Sequence, residues 1–272
     1  MIAFNKEKCI KCQLCINDCG TGVISVGSDG YPQVSDIAGC LKCQHCFAVC
    51  PQGAVIFNGT KSEDVDEIGK IPSFDELANL IKSRRSVRRY SGREITPEVM
   101  QKLAALLNYT PTGCNDHRLG LVFVTGEKLQ LLREGTNRIL IKIIRSPFRL
   151  LMPKRYKRFF KRLEDKEDVI YRGAPALLLV TVHKDSPCKA DDPTIALSWF
   201  ELAAETLGLG CCWCGFAQRA FRMFPSLRKM LNVPSDHRIG GVILFGYPDI
   251  KYFRVIKPEP FNCSIQQSPH TV

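Results

Sequence analysis

The chain has 272 residues, 45% of them hydrophobic, and a formal charge of +11. That length holds one small domain and one globular domain of ordinary size, and no apolar run is long enough to span a bilayer. Fourteen cysteines occur without an N-terminal secretory pattern, which argues against a disulfide framework and for a reducing, cytoplasmic compartment in an oxygen-poor cell.

In chain order, the first pattern is Cys9, Cys12, Cys15 and Cys19, a C-x2-C-x2-C-x3-C run. It recurs 31 positions later as Cys40, Cys43, Cys46 and Cys50, with Pro51 following. The register continues from Gly22 to Gly53 and from Ile24 to Val55, so the segment is an internal duplication. Such a run is the ligand set of an iron-sulfur cluster. Four thiolates can also bind zinc, but a structural zinc site usually takes two separated Cys pairs, whereas here three ligands share one tight turn. Residues 1–60 resemble a bacterial two-cluster ferredoxin, with Gly20 standing where that family has Pro after the fourth Cys. The resemblance implies two [4Fe-4S] clusters and crossed ligation. Cys9, Cys12, Cys15 and Cys50 would hold one cluster, and Cys40, Cys43, Cys46 and Cys19 the other.

The stretch AVIF at 54–57 reads as a closing strand, and the polar, acidic segment at 61–72 as a linker. A second domain over 73–272 begins with Ser73 and Glu76, a capping box ahead of Leu77, Leu80 and Ile81. Thr96, Pro97 and Glu98 open another helix, with Met100, Leu103, Ala104 and Leu107 on its apolar face. It stops at NYTPTGCN. The runs at 119–126, 175–182 and 239–246 are near-continuous apolar strands, expected to be buried on both faces of a sheet. Helical stretches between them give an α+β sandwich.

The segments RRSVRRY, PTGCNDH, AAETLGLGCCWCGF and FGYP, in this order between 84 and 248, resemble the motifs of the nitroreductase family. The whole chain is therefore similar to a ferredoxin-nitroreductase fusion. The resemblance implies FMN and a homodimer with the flavin at the subunit interface. It places Arg84 and Ser86 on the flavin phosphate within the basic run Arg84, Arg85, Ser86 and Arg88, with Arg88 toward the pyrimidine end of the ring. Bidentate cations beside a hydroxyl suit a phosphate; the bland alternative is a solvated basic helix end. The turn Pro111, Thr112 and Gly113 would present Asn115 to the flavin ring, with His117 beside it. Cys214 and Gly215 would bring backbone N–H groups to the ring, because glycine permits close approach. After the GYP turn, the resemblance implies a further phosphate cation at one of Lys251, Arg254 and Lys257. Cys211, Cys212 and Cys214 lie in a glycine-spaced apolar segment and read as packing residues, and Cys114 could face substrate. No residue reads as a dedicated nucleophile or proton donor.

A basic insertion is expected at about 134–170. Its cations Arg138, Lys142, Arg145, Arg149, Lys154, Arg155, Lys157, Arg158, Lys161 and Arg162 have no Asp or Glu among them. It reads as a lid over the flavin, a docking face for an acidic donor protein or a solvated face. Pro147 and Pro153 argue against a long membrane-lying helix, and nothing resembles a base-reading element, so nucleic acid is not expected. The expected activity is passage of single electrons from the clusters to FMN and on to a nitro compound, quinone or similar small molecule. A low-potential protein is one candidate class of donor. The alternatives are a non-catalytic electron carrier or redox sensor, and specialised chemistry such as reductive dehalogenation or flavin breakdown.

Overall fold

The computed structural model describes residues 2–146 and 157–266. The N-terminal part comprises β1 (Ile2–Phe4), α1 (Leu14–Asn17), β2 (Ile24–Val26), β3 (Pro32–Val34), α2 (His45–Ala48) and β4 (Val55–Phe57). β1 pairs antiparallel with β4, Ile2 opposite Phe57, so the strand expected at 54–57 closes the domain on its own N-terminus. β2 pairs antiparallel with β3, Ile24 opposite Val34. The core is small: Ile2, Val23, Ile24, Val55 and Phe57 pack with Cys15 and Cys46. So small a core buries little apolar surface, and ligation by bound metal adds folding free energy to it.

The second part begins with α3 (Phe74–Ser83). Its capping box forms as expected: Ser73 N donates to Glu76 Oε2 at 2.7 Å, and Glu76 N donates back to Ser73 Oγ at 3.3 Å. Then come α4 (Pro97–Leu107), β5 (Leu119–Thr125), α5 (Gly126–Arg145), α6 (Lys157–Glu164), β6 (Ala176–His183), α7 (Asp192–Thr206), β7 (Gly210–Trp213), α8 (Gly215–Met223), α9 (Pro225–Met230) and β8 (His237–Gly246). The sheet order is β5-β6-β8-β7, every neighbouring pair antiparallel.

The strands are apolar throughout because both faces of the sheet are covered. Leu177, Leu179, Val242 and Leu244 face α5, α8 and α9, while Ala176, Leu178, Val180, Ile243 and Phe245 face α4 and α7. Alternate side chains point to opposite faces, and here both faces are dry. This is the α+β sandwich expected from the sequence.

The basic segment differs from the expectation of one inserted unit. Its first part is the C-terminal half of α5, whose Thr136 and Ile144 are buried beside Leu129 and Leu132. Arg138, Lys142 and Arg145 therefore ride on a core helix. Arg149, Lys154, Arg155, Pro147 and Pro153 lie outside the described residues. On α6, Arg162 pairs with Glu167 at 2.6 Å, so that charge is locally balanced.

Candidate redox site

Cys9, Cys12, Cys15 and Cys50 line one cavity, and Cys19, Cys40, Cys43 and Cys46 line another of about 500 Å³. The duplicated sequence folds the same way twice. Lys11 and Gln13 adopt φ of 57° and 62°, and Lys42 and Gln44 adopt 56° and 62°. Left-handed residues alternating with right-handed ones turn successive N–H groups inward and make an anion-binding concavity. Sulfur acceptors are already served: Lys42 N donates to Cys40 Sγ at 3.3 Å, and Ala54 N donates to Cys50 Sγ at 3.2 Å. Burial, then the neighbouring Cys50, Cys9 and Cys12, push the Cys15 thiol up. Burial raises Cys46 to about 11. Four mutually repelling thiolates with inward N–H donors fit a cationic iron core, whose charge offsets the cost of ionising them.

Beyond the cysteines, the second cavity is lined by Pro111, Thr112, Cys114 and Asn115 of the other domain. Cys114, Asn115 and His117 all have positive φ, at 54°, 54° and 49°. Non-glycine residues rarely hold that conformation unless the surroundings impose it. Here Gly113 N donates to buried Asp192 at 3.1 Å, and His117 N donates to Thr112 Oγ1 at 3.1 Å. Asp116 accepts from Ser186 and, at 2.7 Å, from Arg118. Gly113 is required by packing, since a Cβ there would stand 2.4 Å from Cys188 Sγ.

Asn115 has a partner the sequence did not suggest. Its Nδ2 donates to Leu41 O and to Lys42 O, both at 3.1 Å, and its Oδ1 accepts from His117 Nε2 at 2.7 Å. An amide has two N–H donors. Here both face carbonyls of the cysteine loop.

The basic run leaves α3 at Arg84, where ψ turns to 131°, and lies along β7: Val87 N donates to Cys211 O at 2.8 Å. Buried Val87 pins this segment. Arg84 Nη1 donates to Glu201 at 2.9 Å, and Trp213 Nε1 donates to the other Glu201 oxygen at 3.1 Å. Arg84 thus has a carboxylate partner within the chain. Arg85 and Arg88 have none among the described residues, and they flank Ser86. Burial pushes the Cys212 thiol up against the opposing field of Arg172 and Arg88. Arg172, with φ of 56°, is a cation that the sequence analysis overlooked; the signal was its place before Gly173 in a turn.

At the β7–α8 junction, Cys214 N donates to Val242 O at 2.9 Å, so that N–H belongs to the sheet and not to a ligand. Gly215 occupies the first helical position of α8, where an N–H has no intrahelical acceptor. A Cβ on Gly215 would meet nothing within 4 Å, so space stands open beside it. On α6, Phe159 stacks on Phe216, with ring centroids 4.4 Å apart and planes at 9°. Arg254 and Lys257 lie on the exposed segment after Tyr247, and no hydrogen bond or ion pair among the described residues ties them to Arg84–Arg88.

A duplicated cysteine domain seated against the turn of an antiparallel α+β sandwich defines a two-part redox protein. The chain belongs to the nitroreductase family, whose family model matches residues 81–247, and residues 8–55 match the 4Fe-4S dicluster domain. It is similar to the iodotyrosine deiodinase of Thermotoga neapolitana, 28% identical over 177 residues, or 64% of this chain and 89% of that protein. A nitroreductase with bound FMN from Bacteroides fragilis matches with a TM-score of 0.57 at 23% identity, over 70% of this chain and 98% of that one. Another with bound FMN, from Desulfitobacterium hafniense, gives 0.56 at 19% identity over 68% and 96%. These structural likenesses establish the fold.

Proposed function

We propose that this protein is an FMN-dependent reductase that draws single electrons through two [4Fe-4S] clusters and delivers them in pairs to a small organic acceptor. The observation that carries this reading is the shared cavity, in which Cys19, Cys40, Cys43 and Cys46 stand with Pro111, Thr112 and Asn115 of the nitroreductase domain. When bound, FMN converts one-electron into two-electron chemistry, and each cluster accepts and releases one electron at a time. The chain's own residues have separable tasks. Arg84, Arg85 and Ser86 bind the flavin phosphate, Arg88 lies toward the pyrimidine end of the ring, Gly215 N–H faces the ring, and Phe159 on α6 covers that end against water. Crossed ligation assigns Cys50 to the first cage and Cys19 to the second.

Two electrons come from a low-potential one-electron protein donor. A quinone acceptor takes up both, with two protons from solvent, to become the quinol. A homodimer with FMN between subunits fits the apolar surface one chain leaves exposed: Phe74 at 83%, Phe253 at 78% and Phe261 at 96%. So much exposed apolar surface is unusual for a lone subunit. Arg254 and Lys257 lie on the arm that would reach the partner. Reductive dehalogenation is a second reading, favoured by the likeness to a deiodinase.

The test is anaerobic. Protein reduced in a glovebox is mixed with a nitroarene, a quinone and an iodinated phenol in turn, and flavin and cluster absorbance are followed. Reoxidation by the first two supports the reductase, and by the third alone the dehalogenase. Reoxidation only by an added electron-carrier protein would overturn both in favour of a carrier.

A further inference from the structure

The two cysteine loops are copies, yet only one meets the nitroreductase domain. The first cavity is lined entirely by residues between Phe4 and Val55. The second takes four of its lining residues from the turn at 111–115. The copied loops share their backbone angles at Lys11 and Gln13, and at Lys42 and Gln44, so geometry within the small domain does not distinguish them. What distinguishes them is Asn115. It joins two adjacent carbonyls, Leu41 O and Lys42 O, across a sequence separation of 74 and 73 residues. The corresponding carbonyls of Ile10 and Lys11 receive no donor from the other domain among the described residues, and Ile10 is 61% exposed.

The turn that carries Asn115 is held by Asp192 from outside and braced by bonds within itself. Asp192 fixes Gly113 N at 3.1 Å, Thr112 Oγ1 fixes His117 N at 3.1 Å, and His117 Nε2 fixes Asn115 Oδ1 at 2.7 Å. Asp116 ties the same turn to Ser186 and Arg118. An amide whose donors and acceptor are all engaged is a rigid connector, because releasing it would leave polar groups unpaired.

We propose that Asn115 is a positioning residue that clamps the loop of the second cysteine cage to the nitroreductase domain. The cage of Cys19, Cys40, Cys43 and Cys46 is then the point of delivery, and the cage of Cys9, Cys12, Cys15 and Cys50 faces outward. This rests on the proposed function for its purpose, but the clamp is a property of the chain and is measured without turnover.

Amide hydrogen exchange on the full chain, prepared anaerobically, tests it. In the wild type, Leu41, Cys43 and Gln44 exchange about tenfold more slowly than their copies Ile10, Cys12 and Gln13, the size expected for one or two net hydrogen bonds. Asn115→Asp, which keeps the shape and loses both donors, abolishes that difference. Reduction of its clusters by methyl viologen radical then bleaches the flavin about tenfold more slowly at wild-type iron and FMN content. Asn115→Gln, which keeps the amide, retains part of the protection. If the copied loops exchange alike in the wild type, the clamp is wrong, and this comparison decides alone should Asn115→Asp fail to fold. If Asn115→Asp loses FMN while 41–44 stay protected, Asn115 is a flavin ligand and the proposal falls. Absence of iron or FMN from the wild type would instead sink the functional reading, while the exchange comparison would still decide the clamp.

Discussion

At Arg84 and Ser86, two neighbours in one motif have different burdens. Arg84 is paired with Glu201, at 31% and 11% side-chain exposure. Removing one partner of such a half-buried pair costs about 1–3 kcal/mol, between the surface and buried cases. Arg84→Ala is therefore expected to lower the denaturation midpoint as well as weaken FMN. Ser86→Ala removes a hydroxyl with no charge partner and is expected to weaken FMN by about 1.5–3 kcal/mol, the worth of a hydrogen bond to a charged group, at nearly unchanged stability. Flavin titration and urea unfolding of both variants separate the two. The sequence carried the motif but not the pairing, since Glu201 lies 117 residues from Arg84.

The cysteines were the most legible residues, because cluster ligation imposes fixed local spacing. Cys50 is the sharpest case. It is adjacent to the second run in sequence, yet it lines the first cavity with Cys9, Cys12 and Cys15. Cys50→Ala is expected to reduce iron from about eight to about four atoms per chain while keeping the cage of Cys40, Cys43 and Cys46. Anaerobic iron assay with electron paramagnetic resonance checks it, and loss of the second cage alone would refute crossed ligation.

Among the elements, the turn at 111–117 is where local and tertiary demands meet. Gly113→Ala places a Cβ against Cys188, and overpacking of this kind costs about 1–3 kcal/mol. Cys188→Ala removes the sulfur but keeps a Cβ that would stand 2.8 Å away, so the double variant is expected to recover only part of the loss on thermal unfolding. The sequence marked this stretch as a turn through Pro111, Gly113 and Asn115. It could not show that Asn115 would face backbone carbonyls of a different domain, because those carry no side-chain signature.

Helices announced themselves by caps, as with Ser73 and Glu76, and strands by unbroken apolar runs. β7 was less visible, a strand of four residues inside a glycine- and cysteine-rich segment. The C-terminal half of α5 was obscured by its charge. Arg138, Lys142 and Arg145 drew notice, while the buried stripe through Leu129, Leu132, Thr136 and Ile144 carries the helical period. Long cationic side chains commonly ride on a core helix with their heads in water.

For the whole molecule, Phe74, Leu77 and Ile81 leave α3 with an uncovered apolar side, and Phe253, Phe261 and Ile265 do the same for the C-terminal segment. A subunit partner that buried them would complete the flavin site. Progressive dilution is therefore expected to release FMN and monomer together, as followed by light scattering and flavin fluorescence. A flavin-replete monomer would exclude the interface site.

Electrons placed on the cysteine cages are expected to reach the flavin within one molecule. Stopped-flow absorbance after mixing anaerobic protein with methyl viologen radical measures this directly. Cluster bleaching is expected to precede flavin bleaching, with a second phase whose rate is independent of protein concentration. Clusters that bleach while the flavin stays oxidised, or a flavin phase that scales with protein concentration, would contradict it.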